Sequence, residues 1–287
     1  MKKLVLCASV CLSIIGTSYK LVIANDNTSA KEVVVVTEQD GEPAINVMSQ
    51  VNNIDQHIKD VYSQIDFSKS KKLDFDVFQK AYHGYINLRN SGKLSSDKDI
   101  LTVCDFSKSS TAYRLWVIDL REKKVLINDY VAHGQGSGDE FATMFSNTNS
   151  SHQSSLGFYV TGDTYVGKHG TSLRLHGMDK GFNNAAYERA VVIHGAAYVC
   201  DQFVAGQKRL GRSWGCPAVS DKIAGKMINT IKEGTCVFVY APQKNYLQSS
   251  VWLNSEIVSI PVDFNMEKRA IASVQVKADS NATTIIQ

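Results

Sequence analysis

Apolar residues early in the chain recur three and four positions apart: Val51, Ile54, Ile58, Val61 and Ile65, then Phe75, Phe78, Ala81, Tyr82 and Tyr85. That spacing lays one apolar stripe along a helix, so two amphipathic helices are predicted between Ile45 and Gly92, with Gly92 closing the second. Beyond Leu101 the period changes. Short runs rich in β-branched and aromatic residues predict strands over 102–106, 113–119, 124–132, 157–162, 173–176, 190–194 and 236–241, separated by glycine-rich connections. Helical spacing returns at Ile223, Met227 and Ile231, behind Ser220 as a cap and ahead of Gly234 as a stop. From Gln243 the tail has weak strand character over 251–261 and ends in a polar stretch of disordered composition. The pattern predicts a mainly β, α+β fold: a β-sandwich or partly closed sheet with appended helices.

The N-terminus reads differently. Lys2 and Lys3 precede an apolar run from Leu4 to Ile15, and Val22-Ile23-Ala24 offers small-residue cleavage, the layout of a secretory signal. The run is short for a membrane span and Lys20 interrupts its continuation, so no stable membrane insertion is expected after cleavage. The predicted organisation is a signal peptide over 1–24, a flexible polar linker over 25–44, a helical segment over 45–100, a strand-rich domain over 101–242 and a C-terminal extension over 243–287. In a chain of 287 residues, 44% hydrophobic and 21% charged, that is one substantial core with appendages. A net charge of +3 is too mild to argue for nucleic acid.

The chemistry-bearing stretch is Ile193-His194-Gly195-Ala196 followed by Gly211-Arg212-Ser213-Trp214-Gly215-Cys216-Pro217. A cysteine nucleophile needs a base to generate thiolate, a backbone that presents the sulfur, and amides aimed at a developing oxyanion. His194 ends a β-branched run and would be held on a rigid strand end, the position of a general base. Gly215, free to take conformations other residues avoid, would leave its own amide and that of Cys216 facing a substrate carbonyl. Lys208, Arg209 and Arg212 would favour the thiolate and attract acidic substrates. Cys200, six residues after His194, is the rival nucleophile but lacks the Gly-Cys-Pro turn. Cys104 and Cys236 read as strand residues, either two buried thiols or a disulfide pair. Histidines at 57, 83, 133, 152, 169, 176 and 194 show no zinc spacing, and no metal or cofactor is called for. Ser172-Leu173-Arg174-Leu175-His176-Gly177 repeats the strand-to-His-Gly layout of 193–195, which suggests two neighbouring strand ends and makes His176 a substrate-contact candidate. Arg174 and Arg189 are candidates for binding peptide carboxylates.

At these residues the chain resembles the murein L,D-transpeptidase catalytic domain family, the Ser-x-Gly-Cys-Pro branch of the L,D-transpeptidases. The resemblance covers the span from Val51 to Pro242 and includes the blocks 118–120, 131–138, 145–147 and 155–159. It implies an L,D-transpeptidase-like β-sandwich with Cys216 as nucleophile, His194 as base and the Gly195 carbonyl orienting the imidazole. Ser213, Gly215 and Cys216 complete the signature, and His133, inside a matching block, becomes a candidate for the site wall. The chain departs from the broad family in carrying Trp214 between Ser and Gly, where a His is usual, and Ala218 where an Arg is common. Eighteen residues separate His194 from Ser213, slightly more than the usual loop. Trp214 cannot accept a proton, so Arg212 would supply the charge that the missing His leaves out.

The resemblance further implies an exported enzyme of the periplasm or cell envelope whose partners are the donor and acceptor stem peptides of peptidoglycan. Cys216 would form a thioester with the donor and pass it to the acceptor amine, cross-linking two diaminopimelates. Attack by water would instead make an L,D-carboxypeptidase. Another thiol hydrolase of wall peptides and a non-catalytic wall-binding protein are the remaining readings.

Overall fold

The computed structural model describes residues 47–260 and, ahead of them, three short strands, with side chains described from Ile54 onward. Contacts divide the chain into two units, Met1–His57 and Ile58–Gln287. The first unit contains an antiparallel sheet of β1 (Ser13–Ile14), β2 (Thr17–Ile23) and β3 (Val33–Thr37), in that order. β3 lies where the sequence reading placed a polar linker; its four consecutive valines carry the β-branched preference for extended backbone. Ala24, the expected cleavage position, and the tail from 261 on lie outside the described residues.

In the second unit the two predicted helices are present: α1 (Val47–Gln64), which begins in the first unit, and α2 (Phe75–Asn90). Asp76 sits in the first turn of α2 and Arg89 in its last, the charge order the helix dipole favours. After α2 the chain reverses at Gly92, whose φ of +65° lies in the left-handed region that glycine tolerates. Phe78, Ala81, Tyr82 and Tyr85 are buried, as the spacing predicts; Phe75, at the start of the stripe, is only partly buried, and Val77, outside it, is buried. Gly84 brings α2 down onto the sheet, because a Cβ there would stand 2.0 Å from the Phe158 ring.

The sheet has eight strands: β4 (Ile100–Asp105), β5 (Leu115–Asp119), β6 (Lys124–Asp129), β7 (Gly157–Gly167), β8 (Gly170–Gly177), β9 (Val192–Gly195), β10 (Ala218–Val219) and β11 (Cys236–Tyr240). Their order is β10-β9-β8-β7-β11-β4-β5-β6, with β10–β9 and β11–β4 parallel and the other pairs antiparallel. Every residue of β4 and β11 is buried, which is why these central strands do not alternate apolar and polar; β11 is apolar throughout, and β4 buries Thr102 and Asp105 among its apolar residues. Phe158 of β7 stacks on Phe238 of β11 with ring centroids 4.2 Å apart. Past β6 the chain bridges to the opposite edge, Ala132 to Ala218 and Gly134 to Ser213, so the sheet curls toward closure. Ala132 and Ala218 join Ala196, Val199 and Leu210 in a buried cluster at that seam. The mainly β architecture with appended helices is the one the pattern predicts.

Among the described residues four further α-helices complete the unit. α4 (Asp221–Ile231) is the helix predicted behind Ser220. α3 (Asp201–Gln207) was not predicted: none of its residues is buried, so it leaves no apolar period to read. The tail forms α5 (Lys244–Ser249), which the sequence reading did not predict, and α6 (Val251–Asn254), where weak strand character was expected. Long-range anchors decide this. The Asp179 carboxylate accepts hydrogen bonds from the Ser250 hydroxyl and the Phe158 amide, the Trp252 indole donates to the Met178 carbonyl, and Asn87 of α2 donates to the carbonyls of Trp252 and Ser255. Cys104 and Cys236 are free thiols. β11 pairs Cys236 with Leu101 and Val239 with Cys104, which sets the two cysteines three residues apart in register, about 10 Å and beyond disulfide reach.

Candidate active site

The parallel pairing of β10 with β9 sets Ala218 against His194 and Val219 against Gly195. Two residues back along the same register, Cys216 comes level with Val192, whose backbone N–H donates to Sγ at 3.5 Å. The thiol in turn points toward the Ala190 carbonyl at 3.8 Å. Cys216 is half-buried. The turn before it is tied by Ser213, whose hydroxyl donates to the Cys216 carbonyl at 2.6 Å and accepts the Gly215 N–H at 3.0 Å. Gly215 has φ +123°, and a Cβ on it would meet the Gln153 carbonyl oxygen at 2.8 Å, so both conformation and space demand glycine. The Gly215 amide is therefore spent inside the turn and does not face a ligand, which corrects the expectation of two free oxyanion donors. Among the described residues the Cys216 amide has no hydrogen-bond acceptor.

His194 lies on β9 with 5% of its surface exposed, and its Nδ1 is 2.8 Å from the Gly195 carbonyl oxygen. A carbonyl accepts only, so Nδ1 carries the proton and Nε2 presents the lone pair. Burial lowers the His194 pKa, and nearby His169 lowers it further; the Gly195 carbonyl and Asp221 oppose this. Burial pushes the Cys216 thiol up, opposed by the Val192 amide and the Arg189 charge. Both groups are therefore neutral at rest, a thiol and an imidazole whose Nε2 carries no proton.

Arg189 is the cation that acts on the thiol. Its guanidinium donates to the carbonyls of Ser146 at 2.8 Å and Gln153 at 2.9 Å and to the hydroxyls of Ser151 and Ser155, binding the 146–155 loop against the Gly215 turn. The expected carboxylate-binding role gives way to this one. The basic flank, by contrast, is engaged elsewhere. Arg212 donates to Asp139 at 2.6 Å and to the Gly138 carbonyl, Arg209 also faces Asp139, and Lys208 caps α3 in a left-handed conformation.

His133 belongs to the fold rather than to a site wall. It is 1% exposed, its Nδ1 accepts from Arg114 Nη2 at 2.7 Å and its Nε2 donates to the Gly138 carbonyl at 3.2 Å. Its own carbonyl accepts the Ser213 N–H, so it positions the turn through the backbone. Burial, reinforced by the Arg114 charge, pushes its pKa down to about 4.

His176 and His194 are not neighbouring strand ends. β8 and β9 are antiparallel, Ser172 opposes His194 and Arg174 opposes Val192, while His176 pairs with Val160 on β7. Alternation still puts Ser172, Arg174 and His176 on the face that carries His194. There the Arg174 guanidinium lies 4.7 Å from the Tyr165 ring and 5.4 Å from Tyr187, and His176 stacks on Tyr187 at 5.1 Å. Trp214 is 74% exposed and stacks on His152 at 5.0 Å, an aromatic platform beside Cys216. His152, on a loop distant in sequence, carried no signal of its own. Cys200 lines a separate cavity of about 280 Å³ with Asp129, Tyr130 and Asp201, to which neither Cys216 nor His194 contributes. Among the described residues no group of His, Cys, Asp and Glu side chains is placed to hold a metal ion, and no helix is long and apolar enough to cross a membrane.

Among solved structures the chain is similar to an L,D-transpeptidase from Mycobacterium smegmatis, at 15% identity and TM-score 0.32, over 50% of this chain and 59% of that one. It is also similar to an L,D-transpeptidase from Stackebrandtia nassauensis, at 14% identity and TM-score 0.30, over 65% of this chain and 77% of that one. The chain thus spans about three-fifths of the length of the first. No curated protein matches it. Residues 69–240, which include the Cys216 turn, β9 and the closing sheet, match the family described as the L,D-transpeptidase catalytic domain. The chain belongs to the L,D-transpeptidase catalytic domain family.

Proposed function

We propose that the protein is an exported cysteine acyltransferase that cross-links peptidoglycan stem peptides through a Cys216 thioester. The observation that carries this reading is the register of β10 on β9, which brings Ala218, two residues after Cys216, level with His194, while the Gly195 carbonyl reserves Nδ1 and leaves Nε2 to exchange protons. In the first half-reaction the Cys216 proton passes to His194 Nε2 as sulfur attacks the carbonyl at the L-centre of diaminopimelate. The Cys216 amide donates to the oxyanion, the C–N bond breaks, and His194 returns the proton to the departing D-alanine amine. In the second, the acceptor amine attacks the thioester and gives its proton to His194, the C–S bond breaks, and His194 reprotonates the thiolate. Trp214, with Arg174 and His176 on the face shared with His194, would hold the peptide. Arg212, half-neutralised by Asp139, would contribute charge at the rim.

Intact-mass spectrometry of wild type and Cys216→Ala, exposed to a carbapenem and separately to a tetrapeptide muropeptide with and without an amine acceptor, tests the reading. A Cys216 adduct and a dimeric product in wild type alone are expected. Loss of D-alanine without a dimer would assign an L,D-carboxypeptidase. No adduct and no turnover in folded protein would leave a wall-binding member of the family.

A further inference from the structure

β7 and β8 form a hairpin closed by the two-residue loop Lys168–His169 between Gly167 and Gly170. From Asp163 to Gly170 every residue of the hairpin is exposed, so burial in the core does not set the direction of its tip. A register shift between Thr161 and Thr164 does: a bulge there bends and twists the strand pair, the device by which sheets re-aim side chains beside a site. The bend carries the His169 ring to 4.6 Å from the ring of His194, with the planes tilted by 31°. An exposed imidazole at a hairpin tip thus covers a buried imidazole whose other neighbours are the Gly195 carbonyl, which holds Nδ1, and Asp221 of α4. The groups facing the Cys216 side of the pair are the thiol itself and the Arg189 guanidinium.

We propose that His169 is a positioning residue for His194: the bulged β7–β8 hairpin lays its ring on the base, fixing the imidazole plane and shielding it from water. The assignment rests on the proposed role of His194 as base. A ring covered on one face by His169 and tied at Nδ1 by the Gly195 carbonyl holds Nε2 in one direction, and alignment of this kind governs the rate of proton transfer and attack.

The test compares His169→Ala and His169→Phe with wild type in full-length protein, by carbapenem acylation rate and by NMR titration of ring-labelled His194. Phenylalanine keeps the stacking ring and removes the titrating group; alanine removes both. The expected result is an acylation rate near wild type for His169→Phe and roughly tenfold lower for His169→Ala, with the His194 titration midpoint moving up in both. Equal losses in the two variants, or an alanine variant with unchanged rate and midpoint, would overturn the proposal. Failure of wild type itself to be acylated would strike the proposed function instead, while the His194 midpoint would still report whether His169 touches it.

Discussion

Ser213 ties two backbone groups of the Cys216 turn with a single hydroxyl, accepting the Gly215 N–H and donating to the Cys216 carbonyl while itself only 6% exposed. Ser213→Ala leaves both groups without that partner, so a loss of about 1–3 kcal/mol in unfolding free energy is expected, with a fall in acylation rate, checked by thermal melts and mass-resolved acylation kinetics. Arg189 supplies the charge that lowers the Cys216 pKa against burial. In Arg189→Ala the thiol should therefore titrate at higher pH, and the alkaline rise of iodoacetamide alkylation at Cys216 should move upward. Arg189→Lys, which keeps the charge and loses the bidentate fork, should hold the titration nearer wild type yet loosen the 146–155 loop. Cys104 and Cys236 are fully buried and their thiols are pushed up, Cys104 to about 12. Both should stay unlabelled in the native protein while Cys216 reacts. The residues of the proposed Cys-His-Gly set stand out in the sequence because their types sit at telling places in the chain. The engagement of the Gly215 amide was not, because it depends on where the Ser213 hydroxyl points.

At the scale of elements, the segment that follows β6 carries the seam of the sheet, and its His133 contributes a pH dependence of its own. The ring is neutral in the fold, with a pKa near 4 against 6.5 for an unconstrained histidine, so the unfolded chain binds the proton more readily between those values. Stability contributed by this group is present above about pH 6.5 and is lost as pH falls toward 4, by at most about 3 kcal/mol. Urea unfolding of wild type and His133→Gln across pH 4 to 7 checks this; the variant should show a shallower loss on the acid side. α2 and α4 were legible because each buries a stripe against the sheet. α3 buries nothing, and the β7–β8 hairpin owes its direction to a bulge at residues that look like ordinary strand.

Across the whole molecule, the catalytic unit does not end where the strand pattern ends at 242. Tyr246 is fully buried, its ring 5.2 Å from Phe182, and its hydroxyl donates to Asp179 at 3.4 Å beside the Ser250 hydroxyl. Tyr246→Ala should destabilise the protein by about 3–5 kcal/mol, and removal of the chain beyond residue 242 by at least as much, measured by denaturant unfolding. The sequence by itself determined the helical and strand periods, the Gly-Cys-Pro turn and the strand that ends in His194, because these follow from local spacing and from residue chemistry that no distant contact alters. Tertiary structure alone decided the direction of the β8–β9 pairing, which separates His176 from His194, and the assignment of Arg189 rather than Arg212 to the thiol. It also decided the docking of the tail on Asp179 and the placement of His169 against His194. Each of these depends on groups far apart in the chain meeting in a closed sheet, and no local pattern of apolar and polar positions encodes which of them will meet.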